Sequence, residues 1–124
     1  MEKINKLQIS AIIKIPKGKL ELFKQLATES IRLASEGDTG ILKYDWFISS
    51  DQTECEIREE FKNSEALIEH AINLREALEN LLSDFPQNHM KLYGDPSPEL
   101  LKMIKEYNVD TKVYSFFQGL EEMI

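Results

Sequence analysis

The chain has 124 residues, 42% hydrophobic and 30% charged, which suits one soluble domain with a single modest core. Asp and Glu outnumber Lys and Arg by 22 to 15, a formal charge of −7 with no basic cluster to offset it, which argues against a nucleic-acid partner. No apolar run approaches the ~20 residues that span a bilayer, the N-terminus MEKINKLQIS has no secretory core, and Cys55 is the lone cysteine, so neither a membrane nor an intrachain disulfide is expected and the cytoplasm is the expected compartment.

Leu7, Ile9, Ala11, Ile13 and Ile15 alternate with Gln8, Ser10, Ile12 and Lys14, a period of two that predicts a strand with one strongly apolar face, ended by Pro16. From Lys17 to about Ser35 the period becomes helical, with Leu20, Phe23, Ala27, Ser30 and Ala34 on one face. Glu36-Gly37-Asp38 reads as the helix end and a turn. A second strand follows over Gly40–Ser49, with Leu42, Tyr44, Trp46 and Ile48 on one face and Ile41, Lys43, Asp45 and Phe47 on the other. A hairpin loop at 50–53 leads into a third strand, Glu54–Phe61, where Cys55, Ile57, Glu59 and Phe61 share a face.

Ser64 reads as the N-cap of the next helix, whose apolar stripe runs unbroken through Leu67, Ala71, Leu74, Leu78, Leu81 and Phe85. A weaker strand covers Asn88–Gly94. Ser97 and Pro98 then start a third helix, as N-cap and first helical residue, and Val113–Phe117 reads as a last strand. The order β-α-β-β-α-β with an α-β tail predicts an α+β fold: a ferredoxin-like antiparallel sheet with its helices on one face. The other sheet face also carries apolar residues, Ile41 and Phe47 among them, and the chain has no further layer to cover it. A homodimer packed sheet against sheet is the expectation. The apolar tail strand is expected to extend a sheet edge or cross to the partner subunit.

Four residues stand out chemically. His70 lies at the edge of its helix's apolar stripe, either as a boundary histidine with bonded ring nitrogens or as a proton shuttle in a pocket. Glu59 is a carboxylate on an otherwise apolar strand face, and it must be paired or protonated; pairing is the reading its surroundings favour, a raised pKa in a pocket the functional one. Tyr44 and Trp46, at i and i+2, point the same way as core aromatics or as ligand contacts. Cys55 reads as a small buried hydrophobe and His89 as a strand residue facing solvent or a partner. No glycine-rich loop, metal-ligand spacing or Ser-His-Asp set appears.

The first strand leading into Pro16-Lys17-Gly18-Lys19 and a helix, the strand Gly40-Ile41-Leu42-Lys43-Tyr44-Asp45-Trp46, and Glu59-Glu60-Phe61 followed by Ser64-Glu65-Ala66-Leu67 and His70 are, in that order, similar to the antibiotic biosynthesis monooxygenase (ABM) domain of the dimeric α+β barrel superfamily. The resemblance covers about residues 7–94 of a single domain 1–124, with 95–124 as an extension. It implies a homodimer whose two sheets form a barrel. It also implies an oxygenase that uses neither metal nor flavin on a small aromatic or quinol-like compound: the substrate is deprotonated and reacts with oxygen directly. By that resemblance His70 is the base or the orienting group, Tyr44 and Trp46 are pocket-lining donors, and Glu59 fixes a side chain. The haem-degrading branch of the superfamily uses an Asn-Trp-His set. Here Ala11, His70 and Asn80 stand at those positions, so no haem is expected. A dimeric module that binds a small ligand or a protein partner without catalysis is the alternative.

Overall fold

A computed structural model describes residues 6–107 and 109–120. Strand β1 (Leu7–Lys14) is followed by helix α1 (Leu20–Gly37), strands β2 (Ile41–Ile48) and β3 (Glu54–Phe61), helices α2 (Ser64–Asn73) and α3 (Arg75–Asp84), strand β4 (Asn88–Tyr93), helix α4 (Pro98–Tyr107) and strand β5 (Asp110–Tyr114). The sheet order is β2-β3-β1-β4-β5. The first four strands pair antiparallel, as a ferredoxin-like sheet does. β5 adds to β4 in parallel, which is why α4 must cross between them.

The inward face of the sheet is built by apolar cross-strand partners, with Glu59 the exception. Ile9 lies opposite Glu59 and Leu92, Ala11 opposite Ile57 and Met90, and Ile13 opposite Cys55. Phe23 and Ala27 of α1 and Leu81 and Phe85 of α3 pack over one half of this face. Ala66 and Leu67 of α2 and Leu100 of α4 pack over the other half, with Leu7, Phe61 and Leu92. The tail strand extends a sheet edge, as its sequence suggests. Beyond it Phe116 and Phe117 stay largely exposed, so their apolar character does not draw them into the core.

Four local features depart from the sequence pattern. The register of β2 on β3 shifts between Ile41 and Lys43, a bulge that sets Ile41 opposite Phe61 and turns it into the core; Leu42 is left 46% exposed. The outer face therefore loses Ile41 and keeps Phe47, Tyr93 and Tyr114 amid charged side chains. The long helical stripe is broken at Leu74 (φ −101°, ψ 13°), which separates α2 from α3. The cap of α2 is Asn63, whose Oδ1 accepts from the Ala66 amide at 2.9 Å. Ser64, the expected cap, instead accepts from the Ser97 amide at 2.9 Å and ties the start of α4 to α2. Lastly, β5 begins at Asp110 and ends at Tyr114, three residues before the expected span closes.

Candidate active site

The chemistry collects where the α1–β2 turn meets α2. Gly37 and Gly40 allow that contact: a Cβ at Gly37 would stand 2.6 Å from the Asn73 side chain, and one at Gly40 2.5 Å from the Ala66 Cβ. Without side chains at either glycine, the turn presses onto the helix and Asp38 is driven between them. Thr39 holds the turn from outside, its amide donating to the Glu69 carboxylate at 2.8 Å. Asp38 is the residue that sequence reasoning missed. It read as a turn aspartate, yet its side chain is fully buried.

His70 comes off α2 directly above Asp38 and is 4% exposed. Its Nδ1–H donates to Asp38 Oδ2 at 2.5 Å, the tautomer a carboxylate acceptor requires. Asn73 Nδ2 donates to the other Asp38 oxygen at 2.9 Å and to the Leu33 carbonyl at 3.0 Å. The imidazole edge is thus fixed by a buried carboxylate that is itself fixed. Tyr44 and Phe61 enclose the ring, with centroids 4.8 and 5.2 Å away.

The other ring nitrogen, Nε2, lies 3.6 Å from Glu59 Oε1, too long for a hydrogen bond. Among the described residues the Glu59 carboxyl makes no hydrogen bond, although the side chain is only 10% exposed. Burial first, and the nearby charge of Asp38 second, push its pKa up to about 8, so the carboxyl holds its proton at neutral pH. The structural pairing favoured from sequence is therefore only a loose approach to His70. Burial also lowers the pKa of His70, outweighing the hydrogen bond and charge of Asp38 that raise it, so the ring is neutral at pH 7 with a free lone pair on Nε2. The Tyr44 hydroxyl is held well above its usual pKa by burial and then by the charges of Glu59 and Asp38; it remains a donor.

These groups line a cavity of about 120 Å³, large enough for several water molecules or a small ligand. The sheet contributes Ala11, Ile57, Glu59 and Met90, α2 contributes Leu67 and His70, and α3 contributes Leu78 and Leu82, so the break at Leu74 lies over the space. His89 borders it on the strand but is exposed, as its sequence position suggests. A further wall comes from the extension, through Met103, Ile104, Tyr107 and Val109. Trp46 does not line the cavity. It packs between Phe23 and Tyr44 at 5.9 and 5.6 Å. Its buried Nε1 has no hydrogen-bond partner among the described residues; the Tyr44 hydroxyl lies near enough for the indole to temper its pKa, but outside bonding geometry. Cys55 is buried on the same strand face and its thiol is pushed up to about 11, a packing residue rather than a nucleophile. The two carboxyls flank opposite edges of one imidazole and do not converge on a common point. Among the described residues no group of three His, Cys, Asp or Glu side chains is placed to hold a metal ion. No helix among them is long and apolar enough to cross a membrane.

No family profile and no curated protein sequence matches the chain. Solved structures do. MupZ from Pseudomonas fluorescens superposes with a TM-score of 0.73 at 18% identity, over 94% of this chain and 93% of that one. A provisionally named antibiotic biosynthesis monooxygenase from Nitrosomonas europaea gives 0.65 at 16%, over 79% of this chain and 97% of that one. One from Caulobacter crescentus, named in the same provisional way, gives 0.64 at 14%, over 71% and 87%. The chain therefore has the ABM-type fold, and it carries structure beyond what the Nitrosomonas protein contains.

Proposed function

We propose that this protein is an ABM-type oxygenase that acts, without metal or flavin, on a small aromatic or quinol-like compound, with His70 as its base. The observation that carries the reading is the placement of His70, its Nδ1 bonded to buried Asp38 and its Nε2 turned toward Glu59 in a mostly apolar cavity, where burial favours the neutral ring. A hydroxyl of the substrate gives its proton to Nε2, and Asp38 stabilises the imidazolium that results. The electron pair left on the substrate oxygen makes the ring electron-rich. The protonated Glu59 and the Tyr44 hydroxyl are the donors able to hold that oxygen in place. In a pocket with few competing waters the anion reacts with molecular oxygen, the substrate itself supplies the electrons, and the second oxygen atom leaves as water. Trp46 acts behind Tyr44, as a packing residue of the pocket rather than a contact. Structural neighbours with this fold that carry an oxygenase name lend it support.

The homodimer belongs to the same proposal. Phe47, 56% exposed on the outer sheet face, and the stacked pair Tyr93 and Tyr114 are apolar surface that a second sheet would cover. Light scattering at micromolar concentration should give twice the chain mass; a monomer would remove the dimer from the reading.

An oxygen-uptake screen against quinols and hydroxynaphthalenes, with His70→Ala as control, tests the function. Uptake that depends on His70 is the expected result, and uptake unchanged in the variant would remove His70 from the chemistry. One observation favours the second reading, a non-catalytic binding module. The Asp38–His70 contact, the Asn73 bonds and the Thr39–Glu69 bond together form a staple between the turn and α2, a purpose that needs no reaction. No uptake with any compound, together with ligand binding by the cavity, would establish that reading instead.

A further inference from the structure

The cavity has one wall that the shared core does not supply. Helix α4 is anchored at its start: Ser97 Oγ accepts from the Leu100 amide at 3.2 Å, and Leu100 is wholly buried among Leu7, Phe61, Leu67 and Leu92. Its second half packs half-buried against the same core. Met103, Ile104 and Tyr107 are half-buried and face the cavity, and the Tyr107 hydroxyl donates to the Ala71 carbonyl at 3.2 Å. None of the described lining residues is Lys or Arg, while Glu59 is among them, so an anionic ligand would find no counter-charge. Most of the remaining lining is aliphatic or thioether.

We infer that Met103 and Tyr107 are specificity-determining residues, with which the C-terminal helix selects uncharged, compact, apolar ligands by size. Their side chains reach the cavity from α4, whereas Asp38, His70 and Glu59 belong to the α1–β2 turn, α2 and β3, so the depth of the wall can differ without replacing any of those three. Met103 is the position of largest effect, because an unbranched thioether fills irregular space and its replacement changes the volume most directly. The inference rests on the reading of the cavity as the ligand site, and it holds whether that ligand is transformed or only bound.

Calorimetric titration of the full chain with phenol, 2-naphthol and 9-phenanthrol, all uncharged at pH 7, tests it. Met103→Trp should lower affinity for the three-ring probe about tenfold or more relative to phenol, and Met103→Ala should move that ratio the other way. Met103→Leu, which nearly keeps the volume, should leave it unchanged. Circular dichroism confirms that each variant is folded; should Met103→Trp fail to fold, the Ala and Leu variants decide the ratio alone. A ratio that does not respond to residue 103, or no binding of any probe to the unaltered chain, would overturn the inference. If oxygen uptake is absent yet the ratio follows residue 103, the oxygenase reading falls and the selecting wall stands. If uptake depends on His70 while the ratio ignores residue 103, the reverse holds.

Discussion

The α2 wall and the α4 wall enclose one cavity and are held in opposite ways. On α2, His70 is pinned by a buried carboxylate, which is pinned by Asn73, under a turn that two glycines let approach to contact. On α4, one fully buried leucine, a cap and the Ser97–Ser64 bond fix the start, while the far half is held by half-buried Met103 and Ile104 against the same core and by one tyrosine bond to α2. A proton-transfer group must hold its position to within a fraction of an ångström. A surface that selects by shape has no such demand. If His70 is the base and α4 the selecting surface, as proposed, the fold puts its reactive group on the wall held by buried polar bonds and its selecting surface on the wall held mainly by apolar packing.

The comparison breaks most readily at His70. If the α2 wall carries the chemistry, His70→Ala should reduce oxygen uptake by about 10²–10⁴-fold, the usual range for a lost general base. The steady-state rate with the best compound from the screen checks this. Asp38→Ala comes next. It leaves the His70 Nδ1–H and one Asn73 proton unpartnered in a buried place, and unfolding in urea should show a loss of about 3 kcal/mol.

A pH series sharpens the same side. In the unfolded chain Glu59 ionises near its ordinary value of 4.5, whereas in the folded chain it does so at about 8. Between those values the folded state holds the extra proton, so stability falls as pH rises toward 8. His70 acts oppositely: with its pKa lowered on folding, stability is lost as pH falls below its unfolded value of 6.5. From pH 6.5 to 8.5 only the Glu59 effect remains. The thermal midpoint should therefore drop across that window in the unaltered chain and stay nearly level in Glu59→Gln. An equal drop in both would show that Glu59 is ionised in the fold. The smallest effect belongs to the other wall. Tyr107→Phe loses one hydrogen bond to a backbone carbonyl, about 1 kcal/mol by urea titration. A loss as large as that of Asp38→Ala would mean that α4 is as firmly held as α2, and the contrast would fail.

The sheet and helices were legible because burial writes its period into the chain. Leu7 to Ile13 alternate as their strand requires, and Phe23, Ala27, Ser30 and Ala34, spaced as a helix face, are the buried residues of α1. What escaped was set by contacts between distant residues. The bulge that turns Ile41 inward depends on its pairing with Phe61, and no local pattern marks it. Asn63 and Ser64 are both good caps, and the choice is made by Ser97, 33 residues on, which engages Ser64. Glu59 and His70 were both visible as odd residues on apolar faces. Asp38 was not, since an aspartate after a glycine is the commonest of turn residues. The one available signal was its place between Gly37 and Gly40, two positions where a chain can be pressed close.

Trp46 is the only tryptophan in the sequence, and it sits one aromatic ring away from the pocket, against Tyr44, which in turn meets the edge of His70. Among the described residues its buried indole N–H has no hydrogen-bond partner, which leaves it open to the nearby Tyr44 hydroxyl. A ligand that displaces or engages the Tyr44 hydroxyl is therefore expected to shift the emission of Trp46, a label-free readout from a residue that does not itself line the cavity.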